Sequence, residues 1–112
     1  MSDILQRKAL SNKIEEALNE KVIGEANVEY IFDPSVFGMV ILVTIDDPSK
    51  NLGAIQVPYY LDPKWHYRVI LDEFIIKNLF DNEEETSKLI SEVVGNVLDK
   101  YKEHIYKRYF FD

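Results

Sequence analysis

An apolar stripe in the last third of the chain is the feature that most constrains the fold. Apolar side chains recur there every three or four positions, the period of one helix face: Leu89, Ile90, Val93, Val94, Val97, Leu98, Tyr101 and Ile105. Asn82 followed by Glu85 is close to a capping box, which is typical of a helix start. The pattern predicts an amphipathic helix from about residue 82 to the end of the chain. Gly95 lies inside it at a cost of up to about 1 kcal/mol relative to Ala, and we expect it to let another element approach closely.

The N-terminal region predicts a second amphipathic helix. Ser2 and Asp3 are good caps, and the apolar residues that follow share one stripe: Leu10, Ile14, Ala17 and Leu18. Gly24 and Asn27 suit the end of a helix. We therefore expect a helix over residues 3–21.

The middle of the chain predicts strands. "VEYIFD" places Val28, Tyr30 and Phe32 on one face, and "MVILVTID" is rich in β-branched residues. The turn residues of "DPSVFG" separate the two segments, so residues 28–33 and 39–46 are expected to form an antiparallel hairpin. A third strand is expected at 54–60, at a sheet edge because its Pro58 cannot donate to a ladder.

The segment "DPKWHYRV" has two interpretations. Asp62 and Pro63 suit a helix start, and the apolar spacing that follows is compatible with a helix as far as Phe80. Tyr67, Val69 and Leu71 also alternate, so a fourth strand at 65–71 is the alternative. The order of elements predicts one α+β domain over residues 1–112. Its small antiparallel sheet of three strands, or four with this alternative, is packed on one face by an N-terminal helix and two C-terminal helices.

Composition excludes several classes of protein. The 112 residues carry a formal net charge of −7, so direct binding of nucleic acid is not expected. The absence of Cys excludes disulfides, thiolate zinc sites and a cysteine nucleophile. The N-terminal segment lacks the apolar centre of a secretory signal, and no apolar run approaches the roughly 20 residues of a membrane-spanning helix. We expect a cytoplasmic protein that does not enter membranes.

No arrangement in the sequence predicts a catalytic or metal site. Asp46, Asp47 and Asn51 crowd one loop, but they lack the ligand spacing of a calcium-binding loop. His66 and His104 are the only imidazoles and are far apart in the sequence, which disfavours zinc. No Ser lies in a nucleophile-elbow context. We therefore expect no catalytic residues, no metal and no cofactor.

Three groups of residues are candidates for contacting a partner: the acidic turn residues, the aromatic and basic residues of "WHYR", and the aromatic C-terminal end. Structural roles would explain each group as well, because Asp forms turns and aromatic residues fill cores. The candidates are Asp46, Asp47, Trp65, Tyr67, Arg68, Tyr106, Tyr109 and Phe110.

The sequence thus favours a small, acidic, non-enzymatic interaction protein. It would bind a protein partner of basic or nucleic-acid-processing character, as an inhibitor, an immunity-type protein or a virus-encoded antagonist. One alternative is an assembly subunit or chaperone that forms homo-oligomers through its C-terminal aromatic residues. Another is a ligand-binding or enzymatic domain with a pocket near His66, formed with Tyr59, Tyr60 and Asp62.

Overall fold

Three strands and three helices make up the part of the chain that the structure describes. The computed structural model describes residues 2–22, 24–46, 64–77, 79 and 82–110. Within these ranges it describes side chains from residue 4 to residue 104. In chain order the elements are α1 (Ser2–Asn19), β1 (Ala26–Ile31), β2 (Gly38–Asp46), β3 (Lys64–Asp72), α2 (Glu73–Lys77) and α3 (Glu83–Phe110). The predicted α+β class, with a small antiparallel sheet and flanking helices, is confirmed.

The strands form one antiparallel sheet in the order β1-β2-β3. Alternation along each strand creates an inner and an outer face. On the inner face Val43 of β2 lies between Val28 of β1 and Tyr67 of β3. This face joins the apolar stripes of α1 and α3 in one core that includes Leu10, Ile14, Leu18, Met39, Ile41, Ile45, Val93, Val94 and Val97. Both long helices therefore lie against the inner face.

The two long helices and the hairpin agree with their sequence patterns. The backbone N–H of Glu85 donates to Oδ1 of Asn82 at 3.1 Å, as an N-cap does. Among the described residues, none of the helices is both long and apolar enough to cross a membrane. The expected role of Gly95 is wrong, because a Cβ built there meets no described atom within 4 Å.

Residues 64–72 correct the sequence interpretation, since they form strand β3 and not the start of a helix. Trp65, Tyr67, Val69 and Leu71 pair with Ile45, Val43, Ile41 and Met39 of β2 and so extend the inner face. Aromatic and β-branched side chains suit this position. The helix expected as far as residue 80 is reduced to the five residues of α2, and the strand expected at 54–60 lies outside the described residues.

A mostly buried arginine ties the first helix to the end of the sheet. Nη2 of Arg7 in α1 donates to both carboxylate oxygens of Glu73, each at 2.8 Å. Its Nη1 donates to the carbonyl oxygen of Gly38 at 3.3 Å. The start of α1, the start of β2 and the start of α2 therefore meet at one end of the molecule, called the hairpin end below.

Candidate interaction surface

Trp65 and Tyr67, expected to be partner anchors, face the core side of the sheet. Their rings stack with centroids 5.2 Å apart, and Trp65 also lies 5.5 Å from the ring of Tyr101 in α3. The Tyr101 hydroxyl donates to the carbonyl oxygen of Asp46 at 2.9 Å. Both aromatic residues are only half-buried, and the ring contact between Trp65 and Tyr101 joins β3 to α3.

His66 and Arg68 point to the opposite, outer face. Nδ1 of His66 lies 3.3 Å from Oγ1 of Thr44, its register partner on β2. Arg68 donates to Oδ2 of Asp33 at 3.0 Å. The strand therefore divides the expected "WHYR" cluster between two faces.

The other sequence candidates lie at the far end of the sheet, in α3, or outside the described residues. Asp46 ends β2, and its Oδ2 accepts from the backbone N–H of Glu25 at 3.3 Å. The backbone of residues 106, 109 and 110 belongs to α3, but the side chains of Tyr106, Tyr109 and Phe110 are outside the described part. Asp47 lies outside it altogether, as do three residues of the pocket considered near His66: Tyr59, Tyr60 and Asp62.

Among the described residues, exposed apolar side chains are concentrated at the hairpin end, where sequence reasoning placed no site. Phe32, Phe37 and Phe74 are 72%, 71% and 67% exposed, and Ile70 and Ile75 are also exposed. We call these five residues the phenylalanine patch. Neighbouring exposed apolar side chains typically mark an interaction surface, because contact of apolar area with water is unfavourable and a partner can bury that area.

Strand register places two of the patch residues, Phe32 and Ile70, at the same end of the sheet. Ile31, Val40 and Ile70 form one row across the outer face, and Phe32 directly follows Ile31. Val40, in the middle of this row, is 2% exposed.

Two rings of the patch are in direct contact across the hairpin end. Phe37 precedes Gly38, which pairs with Asp72. Phe74 follows Asp72 by two positions and meets Phe37 edge to face, with ring centroids 5.6 Å apart. The edge-to-face arrangement is a preferred geometry for aromatic pairs. The patch therefore contains an ordered aromatic pair and not only isolated exposed rings.

Hydrogen bonds fix the polar border of the patch. Asp33 accepts from Oγ of Ser35 at 2.6 Å and from the backbone N–H of Ser35 at 3.0 Å. These bonds, together with the nearby Arg68 guanidinium, lower the pKa of the Asp33 carboxyl below its ordinary value of 3.8. Oδ1 of Asp72 accepts from the backbone N–H of Phe74 at 2.7 Å and so caps α2. Local bonds thus hold the turns that carry Phe32, Phe37 and Phe74.

A groove continues from the patch between α2 and α3. It has a volume of about 430 Å³ and is lined by Ile75, Leu79, Glu85, Lys88, Leu89 and Glu92. Its floor is apolar, because Leu79 and Leu89 are buried. Its rim carries the three charged side chains of α3. Since Ile75 belongs both to the groove and to the patch, the two form one continuous surface.

Sequence signals for this surface existed but indicated other roles. Phe32 alternates with Val28 and Tyr30, which predicted an inward side chain, but β1 ends at Ile31. Phe74 fitted the apolar spacing of the helix expected as far as residue 80. In the structure the N-terminal part of that segment is β3, and Phe74 belongs to the short helix α2 that follows it. Within the described residues, no group of three or more His, Asp or Glu side chains is arranged to hold a metal ion.

Comparisons with known proteins returned no match: no family model, no curated protein and no solved structure resembles this chain.

Proposed function

We propose that this is a non-enzymatic interaction protein that binds another protein through the phenylalanine patch. The observation that carries the proposal is the exposure of about 70% at each of three phenylalanines on one end of the sheet. Aromatic side chains dominate the energetics of protein interfaces. Burying each ring in a partner would remove a large apolar area from water.

Pre-organisation of the patch supports the same conclusion. Phe37 and Phe74 already contact each other, and the Asp33 and Asp72 carboxylates brace the turns that carry the rings. A partner would therefore have little ordering entropy to overcome on binding. The net charge of −7 favours a basic partner, because opposite charge speeds encounter. We further propose that the protein acts in the cytoplasm and that its partner is a basic, nucleic-acid-processing protein that it inhibits; the negative charge supports the basic character of the partner.

Comparative capture from the source lysate tests the proposal. Wild-type protein and a Phe32→Ser/Phe37→Ser/Phe74→Ser variant are immobilised, and the bound proteins are quantified by mass spectrometry. The matched control, which also leaves the net charge unchanged, carries Ser at three exposed polar positions elsewhere: Asn12, Asn27 and Asn96. We expect a specific protein to be retained by wild type and control and lost from the triple phenylalanine variant. Equal retention by all three folded proteins would contradict the proposal.

A further inference from the structure

We propose that the groove between α2 and α3 receives a basic amphipathic helix of the partner. This inference rests on the proposed function, because the groove shares Ile75 with the phenylalanine patch. Its apolar floor, formed by Leu79 and Leu89, requires an occupant with an apolar stripe. Helices that dock into such grooves do so through apolar residues at spacings of three and four.

The charged side chains on the rim of the groove indicate that the occupant is positively charged. Glu85 and Glu92 are exposed carboxylates, and Lys88 between them is the single cation among the described residues that line the groove. Within the described residues none of these three side chains forms an ion pair. The first turn of α3 adds the exposed carboxylates of Glu83 and Glu84, and the last turn of α2 adds the exposed cation Lys77, so carboxylates outnumber cations by four to two among these described side chains. A cationic segment is therefore complementary to this rim, whereas an anionic one is repelled.

The spacing of the rim carboxylates sets the geometry of the occupant. Glu85 and Glu92 are two helical turns apart, which corresponds to about 10 Å along the axis of α3 at about 1.5 Å per residue. A helix lying along α3 would meet them with Lys or Arg residues seven positions apart. Between these cations its apolar residues would reach Leu89, and a residue opposite Lys88 would be neutral or acidic.

The balance of charge distinguishes this groove from the outer face of the sheet. There Glu29 and Arg68 flank Leu42 on the two neighbouring strands, so these two charges balance, whereas the described lining of the groove has two carboxylates and one cation. The acidic groove, which is continuous with the exposed phenylalanines, is therefore the surface that selects a partner segment of positive charge.

Selection from a random 16-residue peptide library displayed on phage tests this inference. Peptides selected on wild-type protein at low salt are synthesised, and their affinities are measured by fluorescence anisotropy. The proteins compared are wild type, Glu85→Gln/Glu92→Gln, the triple phenylalanine variant, and a control, Glu16→Gln/Glu20→Gln. The control has the same change in net charge at exposed positions of α1 and its C-terminal end that do not line the groove.

The expected peptides combine an apolar stripe with Lys or Arg seven positions apart. Their affinity should fall about three- to tenfold in Glu85→Gln/Glu92→Gln, since surface charge pairs are individually weak, and stay unchanged in the control. Peptides that need the phenylalanines but lack this basic pattern, or ignore the Glu85→Gln/Glu92→Gln change, would overturn the inference and leave the proposed function standing. Peptides that bind the triple phenylalanine variant as well as wild type would contradict the proposed function, and so would a selection that yields no binder.

Discussion

Arg7 and Glu73 form the tightest long-range contact at the hairpin end. They lie 66 positions apart in the sequence, and one guanidinium nitrogen is 2.8 Å from both carboxylate oxygens. Both side chains are mostly shielded from solvent. The pair therefore fixes α1 against the turn from β3 into α2 that carries Phe74.

Removing the arginine alone should destabilise the protein clearly. Arg7→Met leaves the Glu73 carboxylate without its guanidinium and the Gly38 carbonyl without its side-chain donor, so we expect a loss of about 2 to 3 kcal/mol. Adding Glu73→Leu should restore most of that loss, because an apolar pair avoids an uncompensated charge. Urea unfolding of the two single variants and the double variant measures the coupling. Additive effects would show that the contact is energetically unimportant.

Gly38 should not tolerate a side chain. Its φ is 155°, and a Cβ there would collide with the backbone carbonyl oxygen of Leu71. We expect Gly38→Ala to lower the free energy of unfolding by more than about 1 kcal/mol. Thermal and urea unfolding measure the effect. An unchanged midpoint would mean that β2 and β3 do not approach each other this closely.

Gly95 should respond to the same substitution with the opposite sign. It lies inside α3, and a Cβ there meets no described atom within 4 Å. Because Ala has a much higher helix propensity, Gly95→Ala should stabilise the protein by up to about 1 kcal/mol. The same unfolding assay applies, so the two glycine variants control each other. A lower free energy of unfolding in Gly95→Ala would indicate an unseen close neighbour of this position.

The pKa of Asp33 gives a pH-dependent prediction. The hydrogen bonds from Ser35, followed by the attraction of Arg68, lower this pKa below 3.8 in the folded protein. The carboxylate therefore stabilises the fold above about pH 4, and this contribution is lost as the pH falls through the folded pKa. In carboxyl ¹³C NMR titrations, Ser35→Ala should raise the midpoint of Asp33 more than Arg68→Gln does. A wild-type midpoint at or above 3.8 would refute the assignment.

The predictable parts of the fold are those that local periodicity determines. The stripes of α1 and α3 and the hairpin of β1 and β2 follow from spacing within single segments, and all agree with the structure. Residues 64–72 fit the periods of both a helix and a strand. Trp65 and Val69 are four positions apart, as on one face of a helix. Tyr67, Val69 and Leu71 alternate, as on one face of a strand. Pairing with β2 decides between them, and such a contact between distant segments has no local signature.

The interaction surface was less predictable than the fold for a related reason. Exposure of Phe32 depends on β1 ending at Ile31, two residues before the end that the sequence predicted. Exposure of Phe74 depends on the change from β3 to α2 at Glu73. The partner role predicted for Arg68 stays a prediction, as it does for Asp46, Trp65 and Tyr67. Arg7 was visible as a charge on the apolar stripe of α1, three positions before Leu10, but its partner was not.

Because Trp65 contacts Tyr101, the intrinsic tryptophan fluorescence of the protein reports on the packing of α3 against the sheet. Trp65 is the only tryptophan. Its ring stacks on that of Tyr67 in the same strand and lies near the rings of Tyr101 and His104 on α3. Its emission should therefore respond when α3 separates from the sheet, even while both elements keep their backbone hydrogen bonds. Comparing tryptophan fluorescence with far-ultraviolet circular dichroism during unfolding would show whether the two layers come apart before either one melts.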